Sequence, residues 1–268
     1  MVPSKRIDLG GSGLIQRRAK VQNWRCPLQL LVISWVWALA LNAGVITRAQ
    51  SGKQRSSFEM LTHRMDVDVD GAPNAYGPPG KDALDVLLDA HSLNRADKEI
   101  VGYLTDDHGQ PILQGPSDPF PGYYISQTAF TDTNNPNERD PRSYVDARKI
   151  NYVVRGNVAK RRGVQVGDFV AVYSKRTHKS VFAIVGDTGN PTGDEGSLRL
   201  LQDLGYPFHD GTSDAVEKPE IVIRFYPNSN PTHQFFFTQA ALDDAATKLG
   251  LSRDFSTAPR GAPALLPR

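Results

Sequence analysis

The hydrophobic pattern along the middle of the chain is that of short strands bounded by turns. Residues 65–70 alternate strictly between apolar and acidic side chains, which is the period of a half-buried strand. Runs rich in β-branched and aromatic residues are also typical of strands, and there are four of them: 150–154, 168–173, 180–185 and 220–226. The polar run 175–179 predicts a hairpin tip that joins the second of these runs to the third.

Helical spacing of apolar residues is found in three places, at residues 82–91, 197–204 and 239–249. A glycine ends each of the last two segments, and Thr238 is positioned to cap the third. Because strands outnumber helices, the sequence predicts a mainly β (α+β) fold. We expect one compact, closed or partly closed β-barrel-like domain with a few peripheral helices and a substrate cleft.

The first 49 residues have the layout of a secretory signal peptide. A basic stretch precedes the apolar run 28–41, and residues 47–49, Thr-Arg-Ala, offer the small side chains that a signal peptidase reads. The alternative is an uncleaved membrane anchor, but this apolar run is shorter than the roughly 20 residues that span a bilayer. We therefore expect cleavage near Ala49, secretion, and no stable membrane association afterwards.

The remaining chain divides into a polar linker at 50–58, one folded domain at 59–252 and a Pro/Ala-rich, flexible tail at 253–268. The single cysteine, Cys26, lies in the predicted signal peptide. The secreted domain therefore has no disulfide, thiol nucleophile or cysteine-ligated zinc. We expect a monomer that is stabilised by its core.

The charge of the predicted mature chain is mildly acidic. Without residues 1–49, 24 basic and 28 acidic residues remain. This balance gives no basic face for nucleic acid, so we expect no nucleic-acid partner. It suits a cationic partner, although solubility alone would also explain an excess of this size.

Segment 184–198 places two carboxyl residues on either side of a glycine-rich loop. An apolar strand runs into Asp187, and Glu195 comes just before a predicted helix. Glycosidic cleavage needs one carboxylic acid to protonate the leaving oxygen and a second carboxylate to activate water or attack. A strand end and a helix start are rigid mounts for such a pair. On spacing alone, capping of the turn by Asp187 and of the helix by Glu195 or Ser197 is the commoner arrangement.

Three further acids, Asp66, Asp68 and Asp70, share one face of the first predicted strand. Like charges this close need a cationic neighbour or open solvent. Asp-x-Asp-x-Asp-Gly begins an EF-hand loop, but position twelve is Gly77 instead of glutamate, and no helix precedes the motif. The acids therefore line either a site for a polyamine substrate or a solvated edge strand.

Three other residues are candidates for substrate binding. Tyr123 and Tyr124 are adjacent aromatics, one of which could stack on a sugar ring, although core packing is the commoner role for a tyrosine. Asp146 either adds a carboxylate to the cleft or begins the strand at Ile150. No metal-binding histidine spacing, serine-hydrolase elbow, Walker loop or dinucleotide fingerprint is present, so we expect neither a metal nor a cofactor.

Six motifs add a resemblance to these patterns. They are Asp66-Val-Asp-Val-Asp-Gly-Ala-Pro73, Ile100-Val-Gly-Tyr103, Gln114-Gly-Pro-Ser-Asp-Pro119, Gly122-Tyr-Tyr-Ile125, Tyr144-Val-Asp-Ala147, and Val185-Gly-Asp187 with Gly193-Asp-Glu-Gly-Ser197. In this order, over about residues 59–227, the chain resembles the fungal-type chitosanases of glycoside hydrolase family 75.

The resemblance implies endo-hydrolysis of β-1,4-linked glucosamine polymers by an inverting mechanism, without a cofactor. It gives Glu195 the role of proton donor and Asp187 the role of base. The loop between them departs from the family pattern at Asn190, Pro191 and Asp194, which makes Asp194 a reserve candidate for the acid. The expected partner is chitosan, whose ammonium groups suit an acidic cleft. Two alternatives stay open, a non-catalytic polysaccharide-binding protein of similar fold and a cell-wall hydrolase that acts on peptidoglycan.

Overall fold

The computed structural model describes residues 56–92 and 99–256 together with a short strand at 264–265, and the predicted signal peptide lies outside these residues. The described residues form nine strands, β1 (Phe58–Leu61), β2 (Met65–Asp68), β3 (Tyr152–Val154), β4 (Phe169–Ser174), β5 (Ser180–Asp187), β6 (Glu195–Ser197), β7 (Ala215–Val216), β8 (Ile221–Phe225) and β9 (Ala264–Leu265). Three short helices accompany them, α1 (Asn157–Arg161), α2 (Leu198–Asp203) and α3 (Gln239–Lys248), with a 3-10 turn at Pro141–Ser143.

All nine strands belong to one curled sheet. Their order is β7-β2-β6-β3-β5-β4-β8-β1-β9, and the sheet bends into a half-barrel. Strands β7 and β9 stand at its two ends, so the sheet is open and not closed on itself. The predicted mainly β domain with a few peripheral helices is confirmed.

The centre of the sheet is the antiparallel hairpin β4–β5, as the sequence predicts. Tyr173 pairs with Ser180, and the backbone amide of Ser174 donates to the carbonyl of Lys179 at 3.0 Å, which closes the tip. Strand β8 pairs with the other edge of β4. The apolar runs in these strands are almost entirely buried, because covered strands have no solvent-facing side to keep polar.

Two of the three predicted helices form at the expected places. Ser197 caps α2 by accepting a hydrogen bond from the amide of Leu200 at 3.1 Å, and Thr238 caps α3 through the amide of Ala241 at 3.2 Å. No transmembrane segment is found, since no helix in the described part of the chain has both the length and the apolarity to cross a bilayer.

The third predicted helix, at 82–91, is wrong. This segment forms a series of turns, and its Leu88 is 78% exposed. The amides of Leu84 and Asp85 donate to the carbonyls of Asn74 and Ala75 at 3.0 Å, so long-range backbone bonds replace the helical pattern. Tertiary pairing overrides a weak local preference here.

The start of the predicted flexible tail packs against the sheet. The side chain of Arg224, on β8, donates to the carbonyl oxygens of Ser252 and Asp254, and its guanidinium lies over the ring of Phe255 at 4.2 Å. Farther along, strand β9 pairs with β1 in parallel.

Candidate active site

Four neighbouring strands, β2, β6, β3 and β5, carry the predicted acids onto one face of the sheet. Asp66 on β2 pairs with Glu195 on β6. The antiparallel β3–β6 pair joins Val153 to Gly196, so Val154 lies next to Glu195. On the other side of β3 the register with β5 shifts between Val153 and Val154, and this irregularity pairs Val154 with Asp187. Residues paired across strands point to the same face, so Glu195 and Asp187 flank Val154 in one row. The two residues predicted to be catalytic are therefore brought together.

Two glycines make this row possible by removing side chains from crowded backbone. A Cβ added to Gly186 would lie 2.6 Å from the side chain of Tyr152, whose ring packs across β5 at this point. A Cβ on Gly196 would lie 2.8 Å from Leu200 of α2. Each glycine is next in the chain to a predicted catalytic residue. The strands that carry Asp187 and Glu195 can therefore be approached closely by neighbouring side chains at these two positions.

Asp187 lies at the end of β5 and is 8% exposed. Its Oδ1 accepts hydrogen bonds from the backbone amides of Ala129, at 2.8 Å, and Thr188, at 2.7 Å. Asp187 therefore caps the turn, but with only one of its two carboxylate oxygens. Among the described residues, Oδ2 makes no such bond, so the carboxylate is oriented by Oδ1 and keeps one oxygen for another partner.

Glu195 keeps partial exposure, and the side chain of Asn190 lies close enough to it to lower its pKa in part. Ser197 caps helix α2, so Glu195 does not act as the helix cap. Asp194, the reserve candidate, is held within the loop: its Oδ1 accepts hydrogen bonds from Asn190 Nδ2, at 3.1 Å, and from the hydroxyl of Thr192.

Asp68 and Asp70 complete a compact carboxyl cluster with Asp187 and Glu195. Asp68 Oδ1 accepts a hydrogen bond from the amide of Asp70 at 2.8 Å, and Asp70 Oδ1 accepts one from the hydroxyl of Tyr76 at 2.8 Å. The hydroxyl of Tyr152 donates to the carbonyl of Asp70 at 2.9 Å and lies close enough to Asp68 to influence the pKa of that carboxyl.

The pKa values of all four carboxyls are raised. Burial is the largest cause for each of them, because a low-dielectric environment disfavours the charged form. It raises the pKa of Asp68 to about 6, and the charge of Asp68 then raises the pKa of the other three further. The backbone amides on Asp187 act in the opposite direction and favour its ionised form. The cluster therefore retains protons in mildly acidic solution.

Two other predicted acids have cationic partners of their own. Arg64 Nε donates to Asp66 Oδ1 at 2.8 Å, which pairs Asp66 with a partly exposed arginine at the edge of the row. Asp146 Oδ2 lies 2.8 Å from Lys149 Nζ, so this acid already has a cationic neighbour.

The two predicted tyrosines differ in accessibility. Tyr124 is buried, with its ring centroid 5.0 Å from that of Tyr103, so it is a core residue and presents no face to a sugar. Tyr123 is partly exposed, but Lys81 Nζ lies 5.1 Å from its ring centroid and Phe120 packs edge-on against it. Of the pair, only Tyr123 can contact a ligand.

Comparison with known proteins gives no match: no protein-family model matches the chain, and no curated protein matches its sequence. Across residues 56–92 and 99–256, no three His, Cys, Asp or Glu side chains form a group that could hold a metal ion.

Three residues of the site were missed by the sequence analysis. Tyr152 and Tyr76 hold the Asp68–Asp70 turn, and burial raises the pKa of both phenols well above the usual value, so they are permanent hydrogen-bond donors. Asn190 lies close to Glu195 and donates to Asp194 Oδ1 at 3.1 Å. The period of β3 was the available signal for Tyr152, since it lies two residues before Val154 and shares its face. Nothing local marked Tyr76 or Asn190.

The raised pKa values predict that the domain is less stable at neutral than at acidic pH. Unfolded aspartates release their protons near pH 3.8, whereas folded Asp68 holds its proton up to about pH 6. The folded state therefore binds more protons in this window, and stability is lost as the pH rises through it. We expect the melting temperature to fall by at least about 2–4 °C, the equivalent of 1 kcal/mol, between about pH 4 and pH 7.

Thermal unfolding followed by circular dichroism across this pH range measures the effect. Asp68→Asn should flatten the dependence, and Asp244→Asn, at an exposed position on α3, should leave it unchanged. Equal slopes in wild type and Asp68→Asn would show that the cluster does not retain protons.

Proposed function

We propose that this chain is a secreted endo-chitosanase, similar to those of glycoside hydrolase family 75, that cleaves chitosan by an inverting acid/base mechanism. The observation that carries the proposal is the carboxyl cluster. Two strands present Asp187 and Glu195 on one face of the sheet; the charge of Asp68 raises the pKa of both, and their charges raise the pKa of Asp70. Perturbed carboxyls grouped in this way are typical of catalytic sites.

The position of the two strands leaves room for an inverting reaction. Glu195 and Asp187 lie on β6 and β5, with β3 between them. Two strand spacings separate the backbones by about 9.5 Å, so a water can fit between side chains of this length. Inverting glycosidases hold their carboxyls about 6.5–9.5 Å apart to admit a water, whereas retaining enzymes hold them about 5–5.5 Å apart.

The hydrogen bonds support separate roles for the two carboxyls. Glu195, whose pKa is raised mainly by burial, is suited to give its proton to the leaving glycosidic oxygen. The pKa of Asp187 is raised as well, but its two backbone amides partly offset the rise, so it is the better suited of the two to take a proton from the attacking water through Oδ2. The water oxygen then bonds the anomeric carbon from the opposite face as the glycosidic bond breaks.

Asp68 and Asp70 account for a preference for chitosan over chitin. Neither forms an ion pair within the described residues. The ammonium group of a glucosamine unit would place a positive charge next to Asp68 and Asp70 and would lower the free-energy cost of ionising these two carboxyls. Neutral chitin offers no such charge.

The test is product release from chitosan by purified protein. We expect new reducing ends and short oligosaccharides from chitosan, little release from chitin, and a KM that rises with added salt as the attraction is screened. Proton NMR of fresh product should show the α-anomer, since inversion of a β linkage yields it.

Each alternative has its own outcome. Binding to chitosan without any cleavage would indicate a polysaccharide-binding protein, and release from peptidoglycan but not chitosan would indicate a cell-wall hydrolase. A β-anomer product would refute inversion while leaving the site in place.

A further inference from the structure

The tip of the β4–β5 hairpin and the segment beside it form a basic patch outside the candidate active site. Four exposed residues define this patch: Lys175, Arg176, Lys179 and Lys218. The backbone amide of Lys175 donates to the carbonyl of Glu220 at 2.8 Å, and the amide of Glu220 donates to the carbonyl of Lys218 at 2.7 Å. The hairpin tip and the segment that carries Lys218 therefore lie side by side.

Arg176 and Lys179 converge on the turn that follows α2. The guanidinium carbon of Arg176 lies 4.2 Å from the ring centroid of Tyr206. A Cβ added to the preceding residue, Gly205, would lie 3.2 Å from Lys179 Nζ. The two cationic groups are therefore neighbours at the surface, and like charges placed together favour an anionic partner.

The positive charge of the basic patch exceeds what its own acids can balance. Arg176 Nε lies 3.3 Å from Glu220 Oε1, and this is the one ion pair that the patch forms within the described residues. Glu217 is next to Lys218 in the chain but lies 3.5 Å from Arg64. The three lysines of the patch are thus left without an acidic partner in this part of the chain, although the predicted mature protein has an acidic excess.

Hydrogen bonds hold the tip in one conformation. The backbone amide of His178 donates to the carbonyl of Ser174 at 2.9 Å, and the hydroxyl of Thr177 donates to the carbonyl of Leu204 at 2.6 Å, which ties the tip to the end of α2. His178 also adopts a φ of 59°, a left-handed conformation that the surrounding bonds must maintain. A surface that is fixed in this way loses little backbone entropy when a partner binds.

The basic patch lies at the opposite end of β5 from the carboxyl cluster. Strand β5 begins at Ser180, directly after the tip, and ends at Asp187. Its length of eight residues separates the two ends by about 23 Å. This distance is about twice the roughly 8–10 Å over which salt screens exposed charges, so each end of the strand can attract a partner of its own.

The side chains of the patch favour an acidic polysaccharide over a phosphate surface or a lipid bilayer. Its one arginine is already paired with Glu220, so the patch offers lysine point charges and no free guanidinium fork for a phosphate. Residues 175–179 include no large apolar side chain that could enter a bilayer. Phe208 stacks on Tyr206, beside Arg176, and keeps partial exposure, so it can contact a sugar ring.

We propose that the basic patch binds an acidic polysaccharide and holds the protein on a polyanionic matrix while the carboxyl cluster stays accessible. This inference goes beyond the proposed function, because the binding requires no cleavage. A cationic polymer such as chitosan is accompanied by anions that balance its charge. An acidic polymer is therefore a chemically suitable neighbour of the proposed substrate.

Calorimetric titration of the purified protein with oligogalacturonate tests the patch. We expect wild type to bind, with an affinity that falls as salt is added, because salt screens the exposed lysines. The triple variant Lys175→Gln, Lys179→Gln and Lys218→Gln should bind at least about tenfold more weakly, a loss of about 1.4 kcal/mol. Circular dichroism verifies that the variant is folded. Absence of binding in wild type, or unchanged affinity in the triple variant, would overturn the inference.

The matched control removes three positive charges from exposed positions on α1 and α3. It is the triple variant Lys160→Gln, Arg161→Gln and Lys248→Gln, which changes the net charge by the same amount and leaves the patch intact. Its affinity for oligogalacturonate should stay within about twofold of wild type. A loss as large as that of the patch variant would show that net charge, and not the patch, is responsible.

Two further probes test the kind of partner. Duplex DNA and vesicles that contain anionic lipid present phosphate groups, and tighter binding of either one than of oligogalacturonate at the same salt concentration would refute the assignment to a polysaccharide. Cleavage of soluble chitosan oligomers by the patch variant should stay within about twofold of wild type, since the patch is distant from Asp187. Loss of polyanion binding and failure of the proposed function are therefore separate results.

Discussion

Asp187→Asn and Glu195→Gln should each lower kcat on chitosan by about 10²–10⁴-fold, the contribution of a positioned acid or base. Each substitution keeps the shape of the side chain and removes its capacity to exchange a proton. Asparagine at 187 can still accept from the amides of Ala129 and Thr188, so the strand end should stay in place. Reducing-end release measures kcat, and circular dichroism with thermal unfolding verifies that each variant is folded.

Asp194→Asn is the control for this pair. Asp194 adjoins Glu195 in the chain but bonds Asn190 and Thr192 within its own loop, so its replacement should change kcat by less than about tenfold. Full activity in folded Glu195→Gln, together with a large loss in Asp194→Asn, would transfer the acid role to Asp194. Near-native turnover in folded Asp187→Asn would show that Asp187 only caps the turn.

Arg224→Met should lower the free energy of unfolding by about 3–5 kcal/mol, the cost of leaving a buried charge without its partner. Arg224 on β8 pairs across the sheet with Glu59 on β1, their side chains are each 7% exposed, and Nη2 lies 2.7 Å from Glu59 Oε1. The same guanidinium holds the carbonyls of Ser252 and Asp254. Urea unfolding followed by fluorescence measures the loss.

Two comparisons test the reason for this loss. The double variant Glu59→Met with Arg224→Met should be more stable than Arg224→Met alone, because no buried charge is then left unpaired. Arg142→Met breaks an exposed pair with Asp140 and should cost less than about 1 kcal/mol. If the exposed and buried replacements cost the same, burial of the charge is not the cause.

The strands of the central sheet could be predicted because their signal is local. A strand covered on both faces must be almost wholly apolar, and residues 169–173 and 181–185 are, so the predicted strands at 168–173 and 180–185 agree with β4 and β5 to within two residues. The N-terminal caps of α2 and α3 could be predicted for the same reason, since Ser197 and Thr238 accept hydrogen bonds from amides only three residues farther along the chain. The turns at 82–91 were missed because their backbone bonds run to residues 74 and 75.

The sequence by itself determined the mainly β class, the hairpin and the identity of the candidate acids, since each depends on residue type and on neighbours within a few positions. Only the tertiary structure decided which acids belong together. Strand order brings β2 and β6 beside β3 and β5, and this joins Asp68 and Asp70 to the Asp187–Glu195 pair. Which charges meet depends on contacts between residues more than a hundred positions apart, and no local pattern encodes such contacts.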